Sequence, residues 1–191
     1  QLPQFNEIAK KLMECGDYAR KNGIRVTTHP GPFNVLGSPK LDVVERTIIS
    51  LERHSETFDL MGFVPSFENK INIHVGGSYG GDFEGTSARW IAGWHYFHKE
   101  IGIPITFDYH HHSFHPDEMS EEQALKLAAT TWPEGVRQCT HYSESRAREF
   151  QDPKIRAQAH SDYIRDEINT YGLDIDIVIE AKAKELALLE Y

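Results

Sequence analysis

Cysteine is scarce in this chain: Cys15 and Cys139 are the two in 191 residues. Two thiols make no disulfide framework, which sets aside the small crosslinked secreted scaffolds. Long apolar runs are lacking as well, none approaching the roughly 18 consecutive residues of a spanning helix. The start, Gln1-Leu2-Pro3-Gln4-Phe5, has neither the basic nor the apolar region of a secretory signal. An intracellular protein with no membrane partner is therefore expected. Positive charge is in deficit, 20 Lys and Arg against 29 Asp and Glu, for a formal net charge of −9. That argues against a broadly basic nucleic-acid surface, although each bound divalent ion would offset two charges and supply local positive potential. There is no Walker-type phosphate loop, no Gly-x-Ser-x-Gly elbow, and neither cysteine stands in a nucleophile context. Metal-assisted chemistry is what remains.

Histidine is what the chain has in abundance, eleven in all, with His110, His111, His112 and His115 inside six positions. Several of them follow short β-branched runs. Val26-Thr27-Thr28-His29, Ile71-Asn72-Ile73-His74, Ile103 to Asp108, Arg137 to His141 and Ile175 to Glu180 each read as a strand closed by a histidine or a carboxylate. Helical patterning lies between them. Residues from about Asn6 to Asn22 place Ile8, Leu12, Met13, Cys15 and Ala19 at mostly helical spacing, stopped at Asn22-Gly23. Ser38-Pro39 offers an N-cap before the stripe Val43, Val44, Thr47, Ile48, Leu51 and Phe58, which runs to Gly62. Further helices are expected over Gly85 to Glu100, Met119 to Thr130 with Ser120 and Gln123 as a capping box, Arg156 to Tyr171, and Ala181 to Leu189. Strands alternating with helices imply βαβ units and a parallel sheet, in one domain over residues 1–191. The parallel barrel gathers strand ends at one mouth, but five strands fall short of its eight.

Taken singly, a strand-end histidine is more often a hydrogen-bonded polar residue than a ligand. His29-Pro30-Gly31 alone reads as a rigid turn, Glu180 as the start of a helix, and His160 as a helix-face residue. His54, His95 and His98 read as surface or packing residues. Asp108 and His111, three positions apart, can reach one centre as the chain leaves its strand. Three consecutive histidines cannot all point one way, so at least one supports a ligand or meets the substrate. Mixed nitrogen and oxygen donors suit Mn²⁺, Zn²⁺, Fe²⁺ or Co²⁺ better than Ca²⁺.

The runs His29-Pro30-Gly31, Val43-Val44-Glu45, Asp59-Leu60-Met61-Gly62 and Ile73-His74-Val75-Gly76-Gly77-Ser78-Tyr79-Gly80 resemble the UV damage endonucleases. So do Phe107-Asp108-Tyr109-His110-His111-His112, His141-Tyr142-Ser143-Glu144, Ala159-His160-Ser161-Asp162 and Glu180-Ala181-Lys182-Ala183-Lys184-Glu185. The resemblance covers nearly the whole chain in order. It implies an α/β fold of TIM-barrel type, related to endonuclease IV and the xylose isomerase-like folds and here shortened. It implies an ATP-independent nick in UV-damaged double-stranded DNA, 5′ to pyrimidine dimers, 6-4 photoproducts and some abasic sites, made with a trinuclear metal cluster, usually Mn²⁺. His29, His74, Asp108, His111, His141, His160 and Glu180 match its ligand positions, with Asp108, His111 and Glu180 at the chemistry. Pro32 and Phe33 stand where the family has a lesion-probing Gln-Tyr pair, and Tyr79 joins them as an expected DNA contact.

The chain departs from the family pattern at named places. The family's first ligand histidine has no counterpart. The strand ending in a Leu-Glu-Asn-Asp-like motif is missing, with Trp90-Ile91-Ala92-Gly93-Trp94 running almost straight into Lys99-Glu100-Ile101-Gly102. Cys139 stands where some relatives carry a modified lysine. Two other readings stay open: a metal-dependent sugar isomerase or epimerase on the same barrel, favoured by the acidic charge, and a non-catalytic remnant. Oligomeric state is not legible.

Overall fold

The computed structural model describes residues 3–36, 38, 40–74, 98–99, 102–116 and 118–191. The chain divides into two compact units, Gln1–Trp90 and Ile91–Tyr191.

In the first unit, helix α1 (Phe5–Lys21) leads to strand β1 (Val26–Thr28), helix α2 (Leu41–Leu60) and strand β2 (Asn69–Ile71). β1 and β2 pair in parallel with Val26 opposite Asn69 and Thr28 opposite Ile71. The two helices meet at a glycine. A Cβ on Gly16 would lie 1.9 Å from the carbonyl oxygen of Met61, so only glycine lets α1 approach the end of α2 this closely. Arg20 then reaches over, donating Nη1 to the carbonyls of Met61 (2.7 Å) and Gly62 (2.9 Å). These bonds satisfy carbonyls left open where α2 ends.

The second unit holds strand β3 (Phe107–Asp108), helix α3 (Tyr109–Phe114), helix α4 (Glu121–Ala129), strand β4 (Gln138–Tyr142), the short helix α5 (Arg146–Glu149), strand β5 (Ile175–Ile179) and helix α6 (Glu185–Glu190). β4 is the middle of a parallel three-stranded sheet, with Asp108 opposite His141 on one side and Tyr142 opposite Ile179 on the other. Its core gathers Phe107, Tyr109, Leu125 and Ala128, and a second cluster is built on Ile164, Ala181 and Ala187; Tyr142 packs against both. Ser120 caps α4 with the expected box, its hydroxyl accepting the Gln123 amide while Gln123 Oε1 accepts the Ser120 amide.

The mixed α/β character and the parallel strands agree with expectation; among the described residues the strands form a two-stranded and a three-stranded sheet. Several boundaries differ. β3 has two residues rather than six, because the Ile105 amide donates to Thr131 Oγ1 and the Ile105 carbonyl accepts Trp132 Nε1, both at 2.8 Å, which removes them from the ladder. β2 starts two residues early, after a turn in which Ser66 Oγ accepts the amides of Glu68 and Asn69. Ser38 is not the cap of α2: its hydroxyl accepts the Lys40 amide, and Lys40, extended at ψ 115°, occupies the cap position. Arg156 to Tyr171 is not a helix. The amides of Asp162 and Tyr163 donate to the Glu149 carboxylate and those of Arg165 and Asp166 to Glu144, so helical carbonyls go unused. Nor does a helix begin at Ala181, since Lys182 and Ala183 donate their amides to the carbonyls of Ser161 and Asp162. The helix expected over Gly85 to Glu100 lies outside the described residues except at His98 and Lys99, both helical.

Candidate functional site

In the first unit, His29 directly follows β1 and His74 follows β2. Their rings meet edge-on, with centroids 4.4 Å apart. His74 bridges in parallel to Val35, whose amide donates to the buried hydroxyl of Thr47 on α2 (3.0 Å). The loop leaving His29 is thereby tied to the helix behind it. His54, on α2, sets its Nδ1 3.4 Å from Thr28 Oγ1, a packing contact. Between the two anchors the loop raises Pro32 and Phe33 into solvent, Phe33 being 90% exposed. Tyr79 lies outside the described residues.

In the second unit the strand ends converge. His141, in β4, is buried and sets Nδ1 3.1 Å from Glu180 Oε1, one residue past β5. The other oxygen, Oε2, lies 3.8 Å from Nδ1 of His160. His160 is reached by the loop after α5, where it bridges Ser145, and not by a helix. Asp108 ends β3 and caps α3, accepting the His111 amide through Oδ1 at 2.9 Å. Its Oδ2 is 3.9 Å from His111 Nε2, so cap and ligand candidate share one carboxylate.

The three consecutive histidines separate as their spacing requires. His111 is exposed. His110 is buried, with Nε2 3.1 Å from the Gln158 carbonyl and its ring 5.0 Å from that of His160. His112 packs against Phe107.

Burial pushes His160 below the ordinary histidine range. The Glu180 and Asp108 carboxylates oppose that shift, while His110 and His111 add to it. His160 is therefore held neutral near pH 7, and its buried Nδ1 makes no hydrogen bond. An orphaned buried nitrogen is costly unless something occupies its lone pair. Nitrogen and oxygen donors bound at about 2.0–2.2 Å to one divalent ion stand roughly 3–4 Å apart. The separations at Glu180 fall in that range, and the donors are of the kind Mn²⁺, Zn²⁺, Fe²⁺ or Co²⁺ takes. The residues fit such an ion. Five of the seven candidate ligands, Asp108, His111, His141, His160 and Glu180, belong to the second unit, while His29 and His74 stand together in the first.

Sequence reasoning gave no role to Glu144. Its carboxylate is buried, with Oε1 accepting the amides of Arg165 (2.7 Å) and Asp166 (2.8 Å) and Oε2 accepting Arg148 (2.7 Å). With Glu149 it pins the loop that carries His160. Its place in His141-Tyr142-Ser143-Glu144 was the available signal; the backbone amides it binds are about twenty residues away in the chain.

The family profile described as UV-endonuclease UvdE matches residues 3–93 and 91–191. A UV-damage endonuclease of Neurospora crassa is 31% identical over 223 residues, covering 94% of this chain and 32% of the relative. A UV DNA damage endonuclease of Bacillus pumilus is 28% identical over 215 residues, covering 94% of this chain and 64% of the relative. The crystal structure of SacUVDE superposes with a TM-score of 0.74 at 28% identity, over 100% of this chain and 71% of that one. The chain thus spans from about a third to just under two thirds of the length of these curated relatives.

Proposed function

The chain belongs to the UV-endonuclease UvdE family, and on that premise we propose that it is a metal-dependent DNA repair endonuclease that nicks the backbone 5′ to UV photoproducts. One observation carries the reading: the Glu180 carboxylate faces a histidine on each oxygen, His141 at 3.1 Å and His160 at 3.8 Å, and His160 keeps a buried nitrogen that makes no hydrogen bond. In this reading residues 1–191 act as one catalytic domain, a shortened (β/α) barrel.

Asp108, His111, His141, His160 and Glu180 are the candidate metal ligands of the second unit, and His29 and His74 those of the first. When bound, divalent ions activate water and stabilise charge on a phosphate and its departing oxygen. The residues' own contributions follow from their packing. His160 stays neutral through burial and so keeps a lone pair available. His110 is held against the Gln158 carbonyl and walls the His160 ring from one side. Asp108, already fixed by the His111 amide, cannot swing away without fraying α3. On the first unit, exposed Phe33 offers a ring on which an unstacked base could lie. Lesions that weaken stacking lower the cost of presenting such a base.

Supercoiled plasmid, irradiated or not, incubated with the chain and Mn²⁺ tests the reading. Nicking confined to irradiated plasmid is expected, and Asp108→Asn or Glu180→Gln should abolish it with the circular dichroism spectrum retained. A substituted chain nicking at the parent rate at equal metal loading would overturn the site assignment. Metal binding without any lesion-dependent nicking would leave a non-catalytic remnant.

A further inference from the structure

Cations in the second unit are unevenly paired. Lys126, Arg137, Arg146, Arg148 and Arg165 each hold a carboxylate. Lys154, Arg156, Lys182 and Lys184 are exposed and hold none among the described residues. These four lie on two segments joined by backbone bonds beside His160 and Glu180. The Lys182 amide donates to Ser161 O at 2.9 Å and the Ala183 amide to Asp162 O at 3.1 Å. The other segment turns at Arg156, whose carbonyl accepts the Ala159 amide (2.9 Å), and is anchored where Ser145 Oγ donates to Ala157 O (2.6 Å).

Three neighbouring carboxylates are already engaged, while Glu185, next to Lys184, makes no ion pair among the described residues. Asp162 is held by Arg146, Glu149 accepts the amides of Asp162 and Tyr163, and Asp152 accepts the Lys154 amide. Exposed cations without a carboxylate also occur at Lys21, Lys40, Arg53 and Lys99, and what sets Lys154, Arg156, Lys182 and Lys184 apart is that they lie on the two segments that carry His160 and Glu180. They work against a bound metal ion by simple repulsion, so their use is toward an anion laid over the site. Placed on the two adjoining segments that carry His160 and Glu180, and carried on long stems, they match a repeating anion better than a single one.

We infer that Lys154, Arg156, Lys182 and Lys184 contact the phosphate backbone of the DNA strand that crosses the site. This rests on the function proposed above and names the surface that would hold the substrate. Backbone contacts position a duplex without reading lesion or sequence. Removing them should therefore weaken binding to irradiated and unirradiated DNA by the same factor.

The test is the salt dependence of binding to a short duplex, with and without a thymine dimer, for the full chain and for Arg156→Gln/Lys182→Gln. Each lost phosphate contact lowers the slope of log affinity against log salt by about 0.9, so the double variant should lose about 1.8. The charge-preserving Arg156→Lys/Lys182→Arg should keep the parent slope, which separates lost charge from a disturbed fold. A parent chain that nicks irradiated plasmid and a double variant with an unchanged slope would overturn this inference alone. A parent chain that neither binds nor nicks DNA would overturn the proposed function and this inference with it.

Discussion

A buried polar atom without a partner costs on the order of 1–3 kcal/mol, and His160 Nδ1 is such an atom. The loop tolerates it because Glu144 and Glu149 fix the backbone on the far side of His160 with four amide bonds. Glu144→Ala leaves two amides without their acceptor, while Arg148 keeps Asp166, and should destabilise the chain by about 3 kcal/mol in urea unfolding. Arg148 is largely exposed and contributes little to that figure. Glu144→Gln keeps a carbonyl oxygen for the amides and should lose markedly less. If Ala and Gln cost the same, the two backbone bonds are not what holds the loop.

At the scale of elements, what the sequence made legible was local. The Ser120 box, the stop at Asn22-Gly23 and the strand runs of β4 and β5 are decided by neighbours in the chain, and each formed within one or two residues of expectation. The Arg156 to Tyr171 segment failed because its amides are taken by carboxylates on the preceding turn of chain, which periodicity cannot register. β3 was cut short in the same way, by Thr131 and Trp132 side chains. The site followed the same division. Histidine and carboxylate candidates were visible at strand ends, whereas the loop geometry that brings His160 to Glu180 was not. The meeting of α1 with the end of α2 was also illegible, since nothing in Glu14-Cys15-Gly16-Asp17 names Met61 as a neighbour. Gly16→Ala should cost about 1–3 kcal/mol by overpacking and lower the melting temperature. An unchanged melting temperature would mean that the two helices can part there freely.

For the molecule as a whole, a bound ion is a folding ligand. At an ion concentration about 100 times its dissociation constant, the native state gains about 2.7 kcal/mol. Excess Mn²⁺ should raise the melting temperature, a chelator should reverse the rise, and Glu180→Gln should remove most of it. Protons compete with a metal ion for a histidine ligand, so the rise should shrink as pH falls. Burial holds His160 below the usual histidine range, so on its account the loss is delayed to lower pH than an ordinary histidine would give. A rise that is the same at pH 5 and pH 8 would exclude histidine ligation.

The parallel order of β3, β4 and β5 also has a temporal side. Parallel neighbours must be joined by long connections, and pairing across them is slow compared with local turns. Asp108, His141, His160 and Glu180 are synthesised in that order, and Glu180 is the residue that faces both His141 and His160. A nascent chain on the ribosome therefore has no such centre until residue 180 has emerged and β5 has docked on β4. Until then its histidines and carboxylates are separate weak ligands, unable to commit an ion to an incomplete site.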